Sequence, residues 1–203
     1  MISVIMLAAG QSSRMGGENK LTKNLNGIPL IKYAIKNILG SSINELIIVL
    51  GYEKEILEET IGNHKKIKFA YNENFKDGMA SSIKIGLSHI SQKSEAFFIS
   101  LGDMPMINQN IYNKLIKSRY KYNKNLKPDL KKEIFVPTYE GKESNPVLFS
   151  IFMKNKIMSI SGDVGAKEVL ELNKDKILNV DIKNKNITID FDTKDSFDSL
   201  TRL

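Results

Sequence analysis

Apolar runs and amphipathic stretches alternate along most of this 203-residue chain. Residues 2–7 form a short, continuous, largely β-branched run, the pattern of a strand buried on both faces. Residues 30–39 instead place Leu30, Ile31, Ala34, Ile35 and Ile38 on one side of a helix. A second buried strand is predicted over 46–50, an acidic helix over 53–61 and a third strand over 67–71. Residues 79–90 carry Ile83, Leu87 and Ile90 in helical phase, 96–101 read as a fourth strand, and 109–120 as another helix. Alternation of this kind predicts an α/β fold, a mainly parallel sheet with helices on both faces, and ligands gathered at the carboxyl ends of the strands.

The second half is less regular. Residues 134–137 and 146–149 read as short strands flanking a polar loop, and 164–172 as a helix. The runs 177–182 and 187–191 suggest a hairpin around Asn184-Lys185-Asn186. No repeat or linker interrupts the chain, and its length suits one domain with one well-buried core.

Composition narrows the function classes. Hydrophobic residues make up 41% and charged residues 26%, ordinary for a globular protein. No apolar run reaches the ~18 residues of a membrane span, and Met1 leads directly into a strand with no signal pattern, so a cytoplasmic protein with no membrane contact is expected. The absence of cysteine excludes disulfides, thiolate metal sites and a cysteine nucleophile, and fits a reducing compartment. With only His64 and His89, a histidine-rich metal site is excluded too. The net charge of +7 is concentrated between Lys114 and Lys132, which reads as a helix end running into a solvated loop. No nucleic-acid-reading module accompanies it, so no nucleic-acid partner is expected.

The candidate chemistry begins where the first strand ends, in Leu7-Ala8-Ala9-Gly10-Gln11-Ser12-Ser13-Arg14-Met15-Gly16, closed by Lys20. Small residues there let a nucleotide approach the backbone, and Gly16 lets successive N–H groups turn toward an anion. Arg14 and Lys20 add a planar fork and a point charge. The set describes a triphosphate cradle, although neither a Gly-Lys-Ser/Thr ending nor Gly-x-Gly-x-x-Gly is present. Leu101-Gly102-Asp103-Met104-Pro105 ends the fourth strand on the same edge, where Asp103 can reach a Mg²⁺ bridging nucleotide phosphates. Asp190 and Asp192, in phase on a late strand, either complete that metal site or, for Asp192, cap a following helix. Asn72 precedes a helix opened by Gly78 with Ser81 and Ser82 in its first turn, suited to a ribose, a base edge or simple capping. Asn145-Pro146 and Gly162-Asp163-Val164-Gly165 offer rigid and glycine-flanked points for a second substrate, with Asp163 equally fit as a plain cap.

Together these segments resemble the molybdenum cofactor nucleotidyltransferases, the cytidylyltransferase branch in particular. The resemblance runs over nearly the whole chain: the small-residue loop with Lys20, Leu101 to Pro105, Gly78-Met79-Ala80-Ser81-Ser82-Ile83, Asn145 to Phe149, Gly162 to Ala166 and Asp190 to Thr193. It implies a single-domain, Rossmann-like three-layer αβα nucleotidyltransferase fold, with a nucleotide-binding half over about 1–105 and an acceptor-binding half over about 106–203. It further implies transfer of CMP from CTP to the terminal phosphate of molybdopterin or molybdenum cofactor, with Mg²⁺ and release of pyrophosphate. A molybdenum hydroxylase would receive the product. Leu7, Ala8, Ala9, Gly10, Arg14, Gly16, Lys20, Asn72, Gly78, Ser81 and Ser82 would bind the nucleotide. Arg14, Lys20 and Asp103 would be catalytic, Asp103 and Asp192 would hold the metal, and Asn145, Pro146, Gly162, Asp163 and Gly165 would face the acceptor. Ala9 and the Gly78 to Ser82 element point to cytosine over guanine within this resemblance. Ser144 departs from it, standing where the family often has glycine before Asn-Pro-Val. Another phosphorylated acceptor, and a carrier that binds the cofactor without catalysis, are the competing expectations.

Overall fold

The computed structural model describes residues 1–11, 19–163 and 165–188. The first strand, β1 (Ile2–Ala8), is buried along almost its whole length. After it the chain makes a small hairpin, β2 (Asn24–Leu25) and β3 (Ile28–Pro29), then helix α1 (Leu30–Leu39). The hairpin turn is Asn26-Gly27, both residues at positive φ, which the twist of a two-residue hairpin loop demands. Next come β4 (Glu45–Leu50), α2 (Lys54–Ile61), β5 (Ile67–Tyr71), α3 (Met79–His89), β6 (Ala96–Leu101) and α4 (Gln109–Asn123). The remainder contributes β7 (Ile134–Tyr139), the two-residue β8 (Lys142–Glu143), β9 (Val147–Ser150), α5 (Lys154–Met158), α6 (Lys167–Leu172) and β10 (Ile177–Asp181).

Apart from the β2–β3 hairpin, the described strands form one sheet in the order β10-β7-β9-β6-β1-β4-β5, with β8 paired to β7. β1 runs parallel to β4 on one side and β6 on the other, and β4 to β5, while β10 runs parallel to β7. Only β9 on that path is reversed, antiparallel to β6 and β7. The carboxyl ends of β1, β4, β5, β6, β7 and β10 therefore share one edge, and the start of β9 joins them there.

Side-chain alternation divides the core. Val4 and Met6 of β1, Leu46, Ile48 and Leu50 of β4 and Phe98 of β6 pack under α1, α2 and α4. Ile5, Ile47, Val49, Phe97 and Ile99 face the layer of α3, α5 and α6. These two dry layers make the parallel centre of the sheet possible, since such strands must be covered on both sides. α3 sits so close to β1 that a Cβ on Gly86 would overlap Cγ2 of Ile5 and lie 3.1 Å from Cγ2 of Val49.

The predicted strands and helices are present through 123, with α4 three residues longer than expected, so Lys114, Lys117 and Lys121 stand on the helix. Two expectations are corrected in the second half. Of the helix expected over 164–172, the described residues 165–172 form helix only in α6, because positive φ at Gly165 breaks the preceding turn. The expected hairpin around Asn184 is not formed over 182–188. There Ile182 N–H stays on Thr138 O of β7, and Asn184 Oδ1 accepts from Asn186 N–H, opening a 3-10 turn over Lys185–Thr188 that buries Ile187.

At the opposite, amino edge, Glu45 is nearly fully buried and accepts hydrogen bonds from Ser3 Oγ (2.7 Å), Ser91 N–H (2.7 Å) and Lys68 Nζ (2.7 Å). Burial pushes its carboxyl pKa up, but the Lys68, Ser91 and Ser3 donors and the Lys68 charge outweigh that and hold it below the usual 4.5. A carboxylate depressed in the fold contributes stability that is complete above its unfolded pKa and lost as pH falls through the folded value. Acid titration of the unfolding free energy should therefore steepen below about pH 4.5. In Glu45→Gln that part of the slope should shrink. Gly86→Ala should cost about 1–3 kcal/mol by thermal melting, although alanine in a helix interior alone would add about 1 kcal/mol.

Candidate active site at the carboxyl edge

The chain leaves β1 through Ala9 and Gly10, and a Cβ on Gly10 would meet none of the described residues within 4 Å. The neighbouring strand ends lock onto this exit. Gly102 N–H donates to Leu7 O (3.0 Å) and Tyr52 N–H to Ala9 O (3.2 Å). A Cβ on Gly102 would come within 3.2 Å of Leu7 O and 3.5 Å of Leu21 Cδ2. The structure uses the smallness of Gly102 for protein packing, which seats Asp103 next to the end of β1.

Lys20 reaches the same point from the other side. Asn19 caps a 3-10 turn over Lys20–Thr22, its Oδ1 accepting from Leu21 N–H at 3.1 Å and its carbonyl from Thr22 N–H at 3.2 Å. The turn aims Lys20 at Asp103, with Nζ 2.5 Å from Oδ2 and the two side chains only 11% and 20% exposed. A cation and a carboxylate predicted to serve a triphosphate and a metal thus meet as a partly buried ion pair. Asn19 was not singled out by sequence reasoning, and its Nδ2 is a buried donor with no partner among the described residues. The signal was Asn at an N-cap position directly before the lysine. Arg14, Gly16, Asp190 and Asp192 lie outside the described residues.

A second cluster lies where β5 ends. Asn72 is buried, donating from Nδ2 to Ser81 Oγ (2.8 Å) and Ser82 Oγ (2.9 Å) of α3 while Oδ1 accepts from Asn74 N–H (3.0 Å). Gly78 precedes α3 at φ +98°, and a Cβ on it would lie 2.7 Å from both C and O of Gly162. Met79 N–H donates to Asp163 Oδ1 (3.1 Å) and Ala80 N–H to Gly162 O (3.1 Å). A Cβ on Gly165 would come 2.8 Å from Met79 Sδ. Residues assigned by sequence to nucleotide and acceptor are therefore one structural unit, and the first donors of α3 are taken up by the chain itself. Asn145 and Pro146, joined by a cis peptide, open β9 on this edge, and Ser144 Oγ donates to Ile187 O.

Among the described residues no group of three His, Cys, Asp or Glu side chains converges to hold a metal, and no helix is long and apolar enough to cross a membrane. Asp103 is the carboxylate paired with Lys20 at the strand ends. One carboxylate suits a magnesium ion whose remaining ligands are phosphate oxygens and water, and does not suit an all-protein cage.

A mainly parallel sheet between two helical layers, with a cation and a carboxylate at the ends of adjacent central strands, is the arrangement of a nucleotidyltransferase. The chain belongs to the MobA-like NTP transferase domain family, whose model matches residues 4–178. It is 26% identical over 196 residues to the molybdenum cofactor cytidylyltransferase of Escherichia coli K12, covering 97% of this chain and 93% of that protein. Its fold is similar to that of Rv0371c from Mycobacterium tuberculosis H37Rv, with a TM-score of 0.84 at 19% identity over 100% of this chain and 98% of that one. A manganese complex of Rv0371c gives 0.78 at 16% identity over 99% and 98%. A nucleotidyl transferase from Methanothermobacter, Mth528, gives 0.80 at 16% identity over 100% and 98%.

Asp163 acts in the ligand-free protein as a cap on α3, supplied from 84 residues away. Asp163→Ala should accordingly lower unfolding stability by about 0.5–2 kcal/mol, the range of a lost N-cap. Unchanged melting without ligand would assign the side chain to substrate alone.

Proposed function

We propose that this nucleotidyltransferase moves CMP from CTP to the terminal phosphate of a molybdopterin-type cofactor. The observation that carries this reading is the Lys20–Asp103 pair at the carboxyl ends of β1 and β6. The whole-length similarity to the Escherichia coli cytidylyltransferase supports the choice of donor and acceptor. Residues 1–105 form the nucleotide half in this reading and 106–203 the acceptor half, and both help build the joint between Gly78–Ala80 and Gly162–Asp163.

An oxygen of the acceptor phosphate attacks the α-phosphorus of CTP. The new P–O bond forms as the bond from the α-phosphorus to the bridging oxygen breaks, and that electron pair leaves with pyrophosphate. The acceptor oxygen is already anionic near neutral pH, so no side chain need remove a proton. Catalysis then rests on positioning and charge neutralisation. Gly10 leaves room for the nucleotide against the backbone, and Lys20 offsets the charge that builds on the departing pyrophosphate. Asp103 holds Mg²⁺, which when bound neutralises phosphate charge and orients the α-phosphate. The resemblance assigns Arg14 to the triphosphate beside Lys20 and Asp192 to the metal beside Asp103. It also puts Ala9 and Gly78 to Ser82 on the cytosine side and Asn145, Pro146 and Gly165 on the pterin side.

Pyrophosphate release, measured with Mg²⁺ and each of CTP, GTP, ATP and UTP, with and without molybdopterin or its molybdenum-loaded form, tests the reading. Release is expected only with CTP and the pterin together. Release with GTP would reassign the donor, and tight nucleotide binding without release on any pterin would reassign the acceptor. Lys20→Gln and Asp103→Asn should each lower kcat by about 10²-fold or more, the scale of a lost charge-stabilising group, with circular dichroism unchanged.

A further inference from the structure

The ion pair that marks the site also bears on how the site fills. We propose that the Lys20–Asp103 pair is a charge-exchange device: each side chain holds the other until a metal–nucleoside triphosphate complex arrives. The site thereby admits metal and nucleotide as one complex and discriminates against either alone. This rests on the assignment of Asp103 to the metal and Lys20 to the phosphates.

Both main chains are fixed. Asp103 follows Gly102, whose N–H is bonded to Leu7 O and whose packing against β1 leaves no room to slide. Lys20 begins a turn capped on Asn19 Oδ1. Exchange is therefore left to the side-chain ends, which meet at 2.5 Å in partly dry surroundings.

A free divalent ion entering this pocket must pull the carboxylate from the ammonium, leaving two cations side by side with little water to screen them. A free triphosphate must pull the ammonium from the carboxylate, leaving Asp103 facing phosphate oxygens with like charge. The complex avoids both penalties. Asp103 trades the ammonium for the metal while Lys20 trades the carboxylate for a phosphate, so each keeps an opposite charge against it.

The test is equilibrium binding by the full-length chain, with no acceptor present. Mn²⁺ alone is followed by the loss of its free-ion electron paramagnetic resonance signal, and CTP in chelator and Mn-CTP by equilibrium dialysis. The wild-type protein should bind Mn-CTP at least about tenfold more tightly than either component. Two opposite gains are expected. Lys20→Gln should bind Mn²⁺ alone about tenfold more tightly, and Asp103→Asn should bind metal-free CTP more tightly, while both variants lose affinity for Mn-CTP. Lys20→Arg, which keeps the cation, should leave Mn²⁺ binding weak. Loss of Mn-CTP binding in both variants without either gain would overturn the exchange and leave the site assignment standing. Mn-CTP binding unaffected by both substitutions would instead overturn the assignment and the exchange with it.

Discussion

The parallel setting of β1 between β4 and β6 is the constraint on which the site depends. A strand buried on both faces and paired on both sides cannot shift by one residue without turning its apolar set to the wrong layer. Ile5 must face α3 and Met6 must face α1, so the register is fixed by packing before any ligand is present. With the register fixed, the ends of β1 and β6 are brought level, and Gly102 closes onto Leu7 O. Asp103 is then one residue past a locked joint, and Lys20 needs only one capped turn to reach it.

The polar ends of the sheet divide the work. The amino edge is tied together internally: Glu45 gathers Ser3, Ser91 and Lys68, and Ser3 is a further 2.5 Å from Ser94. The carboxyl edge keeps an exposed Gly10, the partly buried Lys20–Asp103 pair and a buried Asn19 Nδ2 without a partner among the described residues. An unsatisfied buried donor costs about 1–3 kcal/mol; the other among the described residues is Arg119 Nε, beside Glu95 at the amino edge.

Much of this was legible in the sequence wherever the signal was local. The strands at 67–71 and 96–101 and the helix at 30–39 have the predicted bounds, because hydrophobic phase over six to ten residues reports directly which faces are buried. Lys20 and Asp103 were singled out from their strand-end positions, and the structure brings them together. Two-residue strands such as β2 and β3 are too short for phase to register, although Asn26-Gly27 is a recognised hairpin signal. The reversal of β9 was hidden for another reason. Val147, Leu148 and Phe149 are all buried, and a run buried on both faces carries no mark of its direction. The hairpin turn expected around Asn184 shows the converse: Asn184 does start a turn, but its side chain caps a 3-10 turn that buries Ile187 directly.

Long-range polar closure was the part that no spacing rule could reach. Gly162 and Asp163 looked like a helix start of their own, yet they complete the start of α3, whose first free N–H groups otherwise end in solvent. Gly78 is required there twice over, for its φ of +98° and because a side chain would strike Gly162. The contact makes the two halves of the edge mechanically dependent. A displacement of Gly162 or Asp163 is felt at Met79 and Ala80, and through Ser81 and Ser82 at Asn72. In the proposed reading, a transfer site that works by positioning two anionic substrates has a direct use for such a joint.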